Sequence, residues 1–268
     1  MSFTVATFYR FIKLSNYYDM KDEIKAACDG LNLKGTILLA EEGINATISG
    51  TKNAIHSIFD FLNSDFRLKD LTWKESCSSY QPFSKMKVRL KKEIVNLGVN
   101  DLDISLRGEY LEPEDWDDFT AQSDVLVIDT RNEYEIKLGR FKNAINPNTQ
   151  CFRDFPKWAE SLTANKDLKV AMYCTGGIRC EKSTAYMKSL GFKNVYHLKG
   201  GILSYLEKNN NKNNMWQGDC FVFDDRVAVD SDLIPSEEIK CIFCANQVST
   251  DELKSVPRGQ VVCFNCKF

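Results

Sequence analysis

Hydrophobic positions in the first part of the chain follow two different periods. Runs rich in β-branched, aromatic and aliphatic residues occupy 3–14, 34–39, 44–48 and 71–75, which predicts four strands. Two other stretches repeat apolar residues every three or four positions, which predicts helices. Their apolar stripes are Met20, Ile24, Ala27, Cys28 and Leu31 in 19–31, and Ile55, Ile58, Phe59 and Leu62 after Gly50-Thr51. The order β-α-β-β-α-β is typical of a ferredoxin-like α+β domain, which we assign to residues 1–96.

A basic segment follows this pattern at residues 83–95. Cationic side chains alternate there with Met86, Val88 and Leu90. In a strand, this alternation would place the apolar side chains on one face and the cations on the other, the cations being Lys85, Lys87, Arg89 and Lys91. The segment is therefore a candidate surface for a nucleic-acid backbone. A solvated face of a half-buried strand is an equally good interpretation of the alternation alone.

The middle of the chain shows continuous rather than alternating hydrophobicity. Residues 125–129, 170–173 and 195–198 are short apolar runs, which indicates parallel strands buried on both faces. Helical patterns cover 110–119, 154–162 and 182–190, and 96–109 has the character of a linker. Alternating strands and helices predict an α/β domain at residues 110–212, with ligands expected beyond the carboxyl ends of its strands.

A cysteine lies at one of those strand ends. Cys174 follows the run 170–173, and the loop continues through Thr175, Gly176, Gly177 and Ile178 to Arg179 and Cys180, near which a helix is expected to begin. Converging backbone N–H groups and the positive end of a helix dipole lower a thiol pKa. The glycines let the backbone curl around the sulfur, and Arg179 adds positive charge. We interpret Cys174 as a nucleophile, against the alternative of a buried structural cysteine.

Composition limits the chemistry that the chain can perform. Hydrophobic residues make up 43% and charged residues 27%, as in a soluble globular protein. No apolar run is long enough to cross a bilayer, and the N-terminus lacks a signal-peptide pattern, so we expect a cytoplasmic protein without a membrane partner. Ten cysteines there indicate catalysis or metal binding rather than disulfides. Only two histidines are present, His56 and His197, and they lie far apart in sequence, so we do not expect a histidine-rich metal oxygenase site.

The last part of the chain, residues 213–268, carries two C-x-x-C pairs. Eighteen residues separate the first pair from the second, and the four cysteines are Cys241, Cys244, Cys263 and Cys266. This spacing predicts a tetrahedral zinc site with four cysteine ligands, which would supply folding energy to a small appendage. An iron–sulfur cluster, a disulfide pair and a site that no longer holds metal are the alternatives. No G-x-G-x-x-G spacing is present, so neither a flavin nor a nicotinamide is expected.

Three segments together resemble the successive signatures of a rhodanese domain. They are DTRNEYEIKLGRFKNAIN, the C-x-x-G-x-R loop CTGGIR, and HLKGGILSYL. The resemblance implies that Cys174 is the residue that carries persulfide in sulfurtransferases. It also implies that Asp129 and Arg131 are the acid and base of the first signature. We expect these two residues to form an ion pair that braces the loop rather than to act directly in catalysis.

The resemblance extends over nearly the whole chain. With KGTILLAEEGINATISG, the basic KMKVRLKKEIV segment and GDCFVFDDR added, the chain is similar to the rhodanese-related tRNA uridine hydroxylases. The resemblance implies hydroxylation of the wobble uridine to 5-hydroxyuridine, with the tRNA anticodon loop as substrate and molecular oxygen as co-substrate. A sulfurtransferase with persulfide on Cys174 is the alternative function, and an inactive RNA-binding scaffold is a third.

The resemblance leaves the chemistry of the sulfur open. Cys174 would either add to C6 of the base or carry a persulfide or sulfenate. Cys180 is either a resolving thiol or a small packing residue of the helix.

Overall fold

A computed structural model describes residues 2–209, 215–236, 239, 241, 243–244, 246–248, 252 and 261–266. The chain divides into two compact units. The N-terminal unit comprises Met1–Asn96 with Asp224–Arg226, and the C-terminal unit comprises Leu97–Phe223 with Val227–Phe268.

The N-terminal unit has the ferredoxin-like fold that the hydrophobic pattern predicts. Its elements are β1 (Phe3–Phe11), α1 (Tyr17–Gly30), β2 (Lys34–Ala40), β3 (Gly43–Gly50), α2 (Lys52–Asn63), β4 (Lys74–Ser78) and β5 (Met86–Leu90). The sheet order is β4-β1-β3-β2-β5. All four residues of the predicted α2 stripe are buried, and Thr51 caps the helix by accepting the N–H of Ala54. Burial of the two helical stripes against one sheet face therefore forms this core.

The basic segment forms the edge strand β5 of that sheet. It pairs in parallel with β2, from Gly35 opposite Met86 to Leu39 opposite Leu90. Met86 and Val88 are buried in the core, whereas Arg89 is exposed. The period of two that the sequence shows is therefore the period of a strand with one buried face.

The C-terminal unit is built around a parallel sheet in the order β6-β10-β9-β7. Its elements up to the last helix are β6 (Glu109–Leu111), α3 (Trp116–Thr120), β7 (Val125–Asp129), α4 (Glu133–Ile136), β8 (Gly139–Phe141), α5 (Phe155–Ser161), β9 (Lys169–Tyr173), α6 (Ile178–Ser189), β10 (Asn194–Leu198) and α7 (Gly201–Asn209). The three apolar runs of the sequence are the strands β7, β9 and β10. The prediction of a parallel-sheet α/β domain is therefore confirmed.

The helix predicted at 110–119 is wrong. Tyr110 belongs to strand β6, where it lies opposite His197 of β10, and the helix α3 begins only at Trp116. The polar positions of the segment suit a helix start, whereas the pairing partner of β6 lies more than eighty residues away in sequence. The residues interpreted as a linker also contain a 3-10 turn, Ile104–Leu106, and the N–H of Gly108 donates to Thr184 Oγ1.

Short strands continue the chain from residue 216 onwards. Strand β11 (Trp216–Gly218) pairs with β8, and β12 (Cys220–Phe221) pairs with β13 (Ala228–Val229) as an antiparallel hairpin. A 3-10 turn, Phe264–Cys266, ends the described part of the chain. Within the described residues, no helix combines the length and apolar character that a membrane span requires.

Candidate active site

Strand β9 delivers Cys174 to the start of a tight loop that leads into α6. The helix begins at Ile178, and Gly177 precedes it with a φ of 97°, a left-handed conformation that favours glycine. This turn points the backbone N–H of Gly177 at the Cys174 sulfur, at 3.1 Å. The sulfur therefore lies against the N-terminus of α6, where helix N–H groups lack partners within the helix.

The loop encloses its cysteine. Cys174 has no exposed surface, and Thr175, Gly177, Arg179 and Cys180 are buried around it, whereas Gly176 and Ile178 are half-exposed. Burial raises the pKa of the thiol, but the hydrogen bond from Cys180, the charge of Arg179 and backbone N–H groups lower it more. The result is a pKa of about 5 for Cys174. The sulfur is therefore a thiolate at neutral pH, the form in which cysteine is nucleophilic.

Arg179 is held by a carboxylate rather than by the sulfur. Its guanidinium donates to both oxygens of Glu135, with Nη1 2.6 Å from Oε2 and Nη2 2.7 Å from Oε1. Glu135 has no exposed surface, and its Oε1 also accepts the hydroxyl of Thr175 at 3.3 Å. Burial acts to raise the pKa of Glu135, but the charge of Arg179 has the larger opposite effect. The pKa of Glu135 therefore lies below its ordinary value. The bidentate pair therefore fixes Arg179 beside the loop.

Cys180 lies in the same buried loop as Cys174. Its Sγ is 3.6 Å from Thr130 Oγ1. Thr130 in turn donates its hydroxyl to the carbonyl of Tyr173 at 3.0 Å. Burial and the neighbouring Cys174 raise the pKa of Cys180 well above its ordinary value. The site therefore holds one thiolate and one protonated thiol side by side.

Asp129 and Arg131 form a second buried ion pair at the neighbouring strand end. Arg131 donates from Nε and Nη2 to the two carboxylate oxygens, at 2.9 Å and 2.6 Å, and it has no exposed surface. Its Nη2 also donates to the carbonyl of Gly139 at 2.6 Å. The guanidinium carbon lies 5.2 Å from the centre of the Trp216 ring. These contacts tie the end of β7 to Gly139 of β8 and to Trp216.

Helix α7 supports the loop from the adjacent strand connection. The N–H groups of Ile202 and Leu203 donate to the carbonyls of Cys174 and Thr175, at 3.0 Å and 3.1 Å. Gly201 makes this approach possible, since a Cβ at that position would lie 2.4 Å from the carbonyl oxygen of Cys174. The loop is therefore held by the N-termini of two helices.

Sequence reasoning identified the loop but missed three residues that hold it. Glu135, Gly201 and Thr130 were not singled out. A signal existed for Glu135, because it stands three residues after Asn132 and accepts that residue's N–H at 3.1 Å, as in a capping box. Gly201 lay in a quoted signature, but its contact with the loop depends on the fold. Thr130 also lay in a quoted signature, between Asp129 and Arg131, but its contacts with Cys180 and Tyr173 depend on the fold.

The four basic side chains predicted to contact RNA lie along the edge strand of the N-terminal unit. Lys87 and Arg89 belong to β5, and Lys85 and Lys91 immediately precede and follow it. Lys85, Arg89 and Lys91 are exposed and Lys87 is half-buried. The strand therefore presents its cations away from the hydrophobic core.

The four cysteines of the C-x-x-C pairs come together in a cluster that can hold a metal ion such as zinc. Their sulfurs all lie within 4.8 Å of one another, and those of Cys244 and Cys263 are 3.5 Å apart. A tetrahedral zinc site with Zn–S bonds of about 2.3 Å places its sulfurs about 3.8 Å apart, so the cluster has the right size. Cys241 and Cys263 are buried in a small core with Phe221 and Val261, against which Tyr134 packs.

Comparison with known proteins identifies two domains in the chain. Residues 3–94 match the UPF0176 acylphosphatase-like domain, and residues 112–208 match the rhodanese-like domain. A protein of Wolbachia pipientis wMel named tRNA uridine(34) hydroxylase is 78% identical over 267 residues, which covers 100% of this chain and 97% of that protein.

Relatives from other genera carry the same name. They are proteins of Anaplasma marginale (strain St. Maries), at 56% identity over 100% of this chain and 97% of the relative, and of Ehrlichia canis (strain Jake), at 57% over 100% and 98%. The family resemblance of the sequence motifs is therefore confirmed, and the chain belongs to the tRNA uridine(34) hydroxylase family.

Proposed function

We propose that this protein hydroxylates the uridine at position 34 of tRNA, the wobble position, to 5-hydroxyuridine, with dioxygen as the source of oxygen. The observation that carries the proposal is the intact, thiolate-stabilising loop around Cys174 in a chain that is 78% identical, over its full length, to a protein of that name. The reaction class is a monooxygenation in which Cys174 is the reactive protein group.

The site supports this chemistry through the state of its sulfur. Uracil C5 is electron-rich and reacts with electrophilic oxygen, and a thiolate is the protein group here that can be oxidised by two electrons. The backbone N–H groups at the start of α6 stabilise negative charge on Cys174, and that of Gly177 points at its sulfur. Arg179, fixed by Glu135, adds positive charge beside the loop.

The substrate surface is proposed to lie on the N-terminal unit. Lys85, Lys87, Arg89 and Lys91 would contact phosphates of the tRNA, which position an RNA without reading its bases. An anticodon loop is single-stranded, so its uridine can be splayed out for chemistry. No side chain of the basic strand is assigned to base recognition.

The cysteine cluster is proposed to hold structural zinc. Cys241, Cys244, Cys263 and Cys266 would supply four thiolates and leave no open coordination position, as in structural rather than catalytic sites. The metal would contribute folding energy to the segment that packs against Tyr134 and Phe221.

The test is a reaction with purified protein, a transcribed tRNA with uridine at the wobble position, isotopically labelled dioxygen and dithiothreitol. Mass analysis of the nucleosides is expected to find label in 5-hydroxyuridine, no product with Cys174→Ser, and normal product with Cys77→Ser, which changes an exposed cysteine of β4. Full activity of Cys174→Ser, or oxygen derived from water, would contradict the proposal. Transfer of sulfur instead of oxygen would favour the sulfurtransferase.

A further inference from the structure

An aromatic side chain, Phe223, is exposed beside the buried active-site loop. Phe223 is 50% exposed, whereas Arg179, the loop residue that it contacts, is 6% exposed. A single exposed apolar side chain is ordinary on a protein surface, so exposure alone indicates no function. Two further observations distinguish Phe223, its contact with Arg179 and the structure of the segment that carries it.

The Phe223 ring contacts the arginine of the loop. The guanidinium carbon of Arg179 lies 5.6 Å from the centre of the ring, within the range of a cation–π contact. Two guanidinium nitrogens donate to Glu135, and Nη2 is also 3.3 Å from Thr175 Oγ1. Thr175 directly follows Cys174 in the chain. One side chain therefore separates the exposed ring from the reactive loop.

The segment that carries Phe223 is a braced turn between β12 and β13. The N–H of Val222 donates to the carbonyl of Val227 at 2.8 Å, which closes the turn. Val227 has a φ of 65°, a left-handed conformation that is unfavourable for a β-branched residue. Backbone strain of this kind persists only where the surrounding structure imposes it. The ring is therefore held in position before any ligand binds.

A second aromatic ring supports the first. The rings of Phe221 and Phe223 have centres 5.2 Å apart and meet at 82°, an edge-to-face arrangement. Phe221 is buried in the small core that includes Cys241 and Cys263, and its ring centre is 5.2 Å from that of Tyr134. The cysteine-cluster core therefore supports the Phe223 ring, which itself remains exposed.

An exposed ring held beside a reactive group suits a flat ligand. Nucleobases stack on aromatic side chains, and single-stranded RNA presents its bases for such contacts. The wobble uridine lies in a single-stranded loop and must be held near Cys174 to react. Phosphate contacts from the basic strand would position the RNA without holding the base itself. The proposed reaction therefore needs a separate contact for the base.

Resting on the proposed function, we infer that Phe223 is the platform on which the base of the wobble uridine stacks beside the Cys174 loop. Phe223 is a positioning residue, because its ring holds the pyrimidine and takes no part in bond making. Every nucleobase has a face that can stack, so this contact contributes position and affinity rather than discrimination between bases.

The test is a binding cycle with the full chain and two anticodon stem–loop RNAs, without dioxygen so that no turnover occurs. One RNA has uridine at the wobble position, and the other has an abasic ribose there. The wild-type protein is expected to bind the abasic RNA about fivefold or more weakly, since one stacked base is lost. Phe223→Leu should bind the uridine RNA equally weakly and show no further loss with the abasic RNA, because ring and base form one contact.

Further variants separate stacking from folding. Phe223→Tyr and Phe223→Trp keep an aromatic ring and should retain the wild-type preference for the uridine RNA. The matched control is Phe66→Leu, which changes an exposed phenylalanine of the N-terminal unit whose ring centre lies 6.0 Å from the guanidinium carbon of Arg67. It should bind the two RNAs with the wild-type ratio of affinities.

Three outcomes overturn the inference. The first is equal affinity of the wild-type chain for the uridine and abasic RNAs, a result that needs no variant. The second is the same loss on removal of the base in Phe223→Leu as in the wild type. The third is coupling of Phe223 only to an abasic ribose at a neighbouring position. Absence of 5-hydroxyuridine from the aerobic reaction with dithiothreitol would instead overturn the proposed function, so the two failures are distinguishable.

Discussion

At the scale of single residues, the acidity of Cys174 results from backbone dipoles and two side chains acting against burial. The guanidinium of Arg179 acts on Glu135 as well as on Cys174, because Glu135 accepts two of its hydrogen bonds. The pKa of Cys174 therefore depends on backbone N–H groups as well as on a cation. Loss of positive charge at position 179 should weaken the thiolate without abolishing it.

The first prediction concerns pH. The rate should follow the thiolate fraction and fall as the pH drops through about 5, the pKa of Cys174. Arg179→Gln removes a charge that lowers this pKa, so the acid limb of kcat/KM should move up by about 1–2 pH units. Arg179→Lys keeps the charge and should shift it less. Thiolate ultraviolet absorbance, measured as the difference from Cys174→Ser, provides an independent titration. If the acid limb of kcat/KM does not move in Arg179→Gln, the charge of Arg179 does not lower the pKa of Cys174.

The second prediction concerns the buried ion pair. Asp129→Asn leaves the guanidinium of Arg131 buried without its carboxylate and should lower the free energy of unfolding by about 3–5 kcal/mol. Glu112→Gln breaks the half-exposed pair with Lys199 and should lower it by about 1 kcal/mol or less. Urea denaturation measures both. Equal losses would mean that Asp129–Arg131 does not brace the structure.

Residue-level prediction succeeded where chemistry is local. The loop from Cys174 to Cys180 is contiguous in sequence, so its motif already indicated a thiolate. Glu135 lies more than thirty residues from the loop, and only the packing of α4 against the loop brings its carboxylate to Arg179. The ion pair of Asp129 and Arg131 was expected as a brace, and its geometry suits that role.

At the scale of elements, the buried strands of the parallel sheet were predicted better than the start of the helix after Cys174, and the strand predicted at 71–75 is observed at Lys74–Ser78. The apolar runs located β7, β9 and β10 to within one residue at either end. Helix α6 begins at Ile178, earlier than its hydrophobic pattern suggested, because Gly177 adopts the left-handed conformation that turns the chain into the helix. Such a start leaves no hydrophobic signal. Strand β6 was taken for a helix for another reason, because its pairing partner β10 is remote in sequence and its polar positions suit a helix start.

The third prediction tests the contact between α7 and the loop. Gly201→Ala places a Cβ 2.4 Å from the carbonyl oxygen of Cys174 at a φ of +67°. It should cost about 2 kcal/mol or more and remove most activity, because the clash displaces the loop.

The matched control is Gly191→Ala, which has a φ of +91° and nothing within 4 Å of the new Cβ. Backbone strain alone should cost about 1 kcal/mol and leave activity unchanged. Thermal unfolding and turnover measure both variants. Equal losses of activity would contradict a specific role for Gly201.

At the scale of the whole molecule, the order of elements was enough to predict both fold classes. Each unit buries its own apolar pattern, α2 against the N-terminal sheet and the continuous strands within the parallel sheet. The pairing of β6 with β10 could not be predicted, because the two strands are far apart in sequence and a hydrophobic period describes only neighbouring residues. The cysteine cluster was predictable because ligand spacing is itself a sequence signal.

The fourth prediction concerns metal. The purified chain should contain about one zinc ion, and Cys244→Ser and Cys266→Ser should each reduce the bound zinc, whereas Cys77→Ser should not. Elemental analysis measures the content. Since the metal is expected to fold its own segment, chelation should increase proteolysis there. Full zinc content in both ligand variants would locate the metal elsewhere.

The fifth prediction concerns the basic strand. Replacing Lys85 and Arg89 with glutamine should weaken tRNA binding and lower the slope of log affinity against log salt by about 1.5, since each lost phosphate contact removes about 0.7–0.9. The same change at Lys13 and Lys52, two other exposed cations of the N-terminal unit, is the control. Filter binding at several salt concentrations measures the slope. Identical slopes for the two pairs would remove β5 from the RNA surface.

Because Cys174 is completely enclosed, the reactivity of its sulfur reports how often the surrounding structure opens. A sulfur without exposed surface reacts with a bulky reagent only in the fraction of time that its enclosure is open. The alkylation rates of this cysteine with reagents of graded size would therefore report the amplitude and frequency of local opening around it. Amide hydrogen exchange reports local opening in the same way. Dioxygen is small, so it needs a far smaller opening than a nucleobase to reach the Cys174 sulfur.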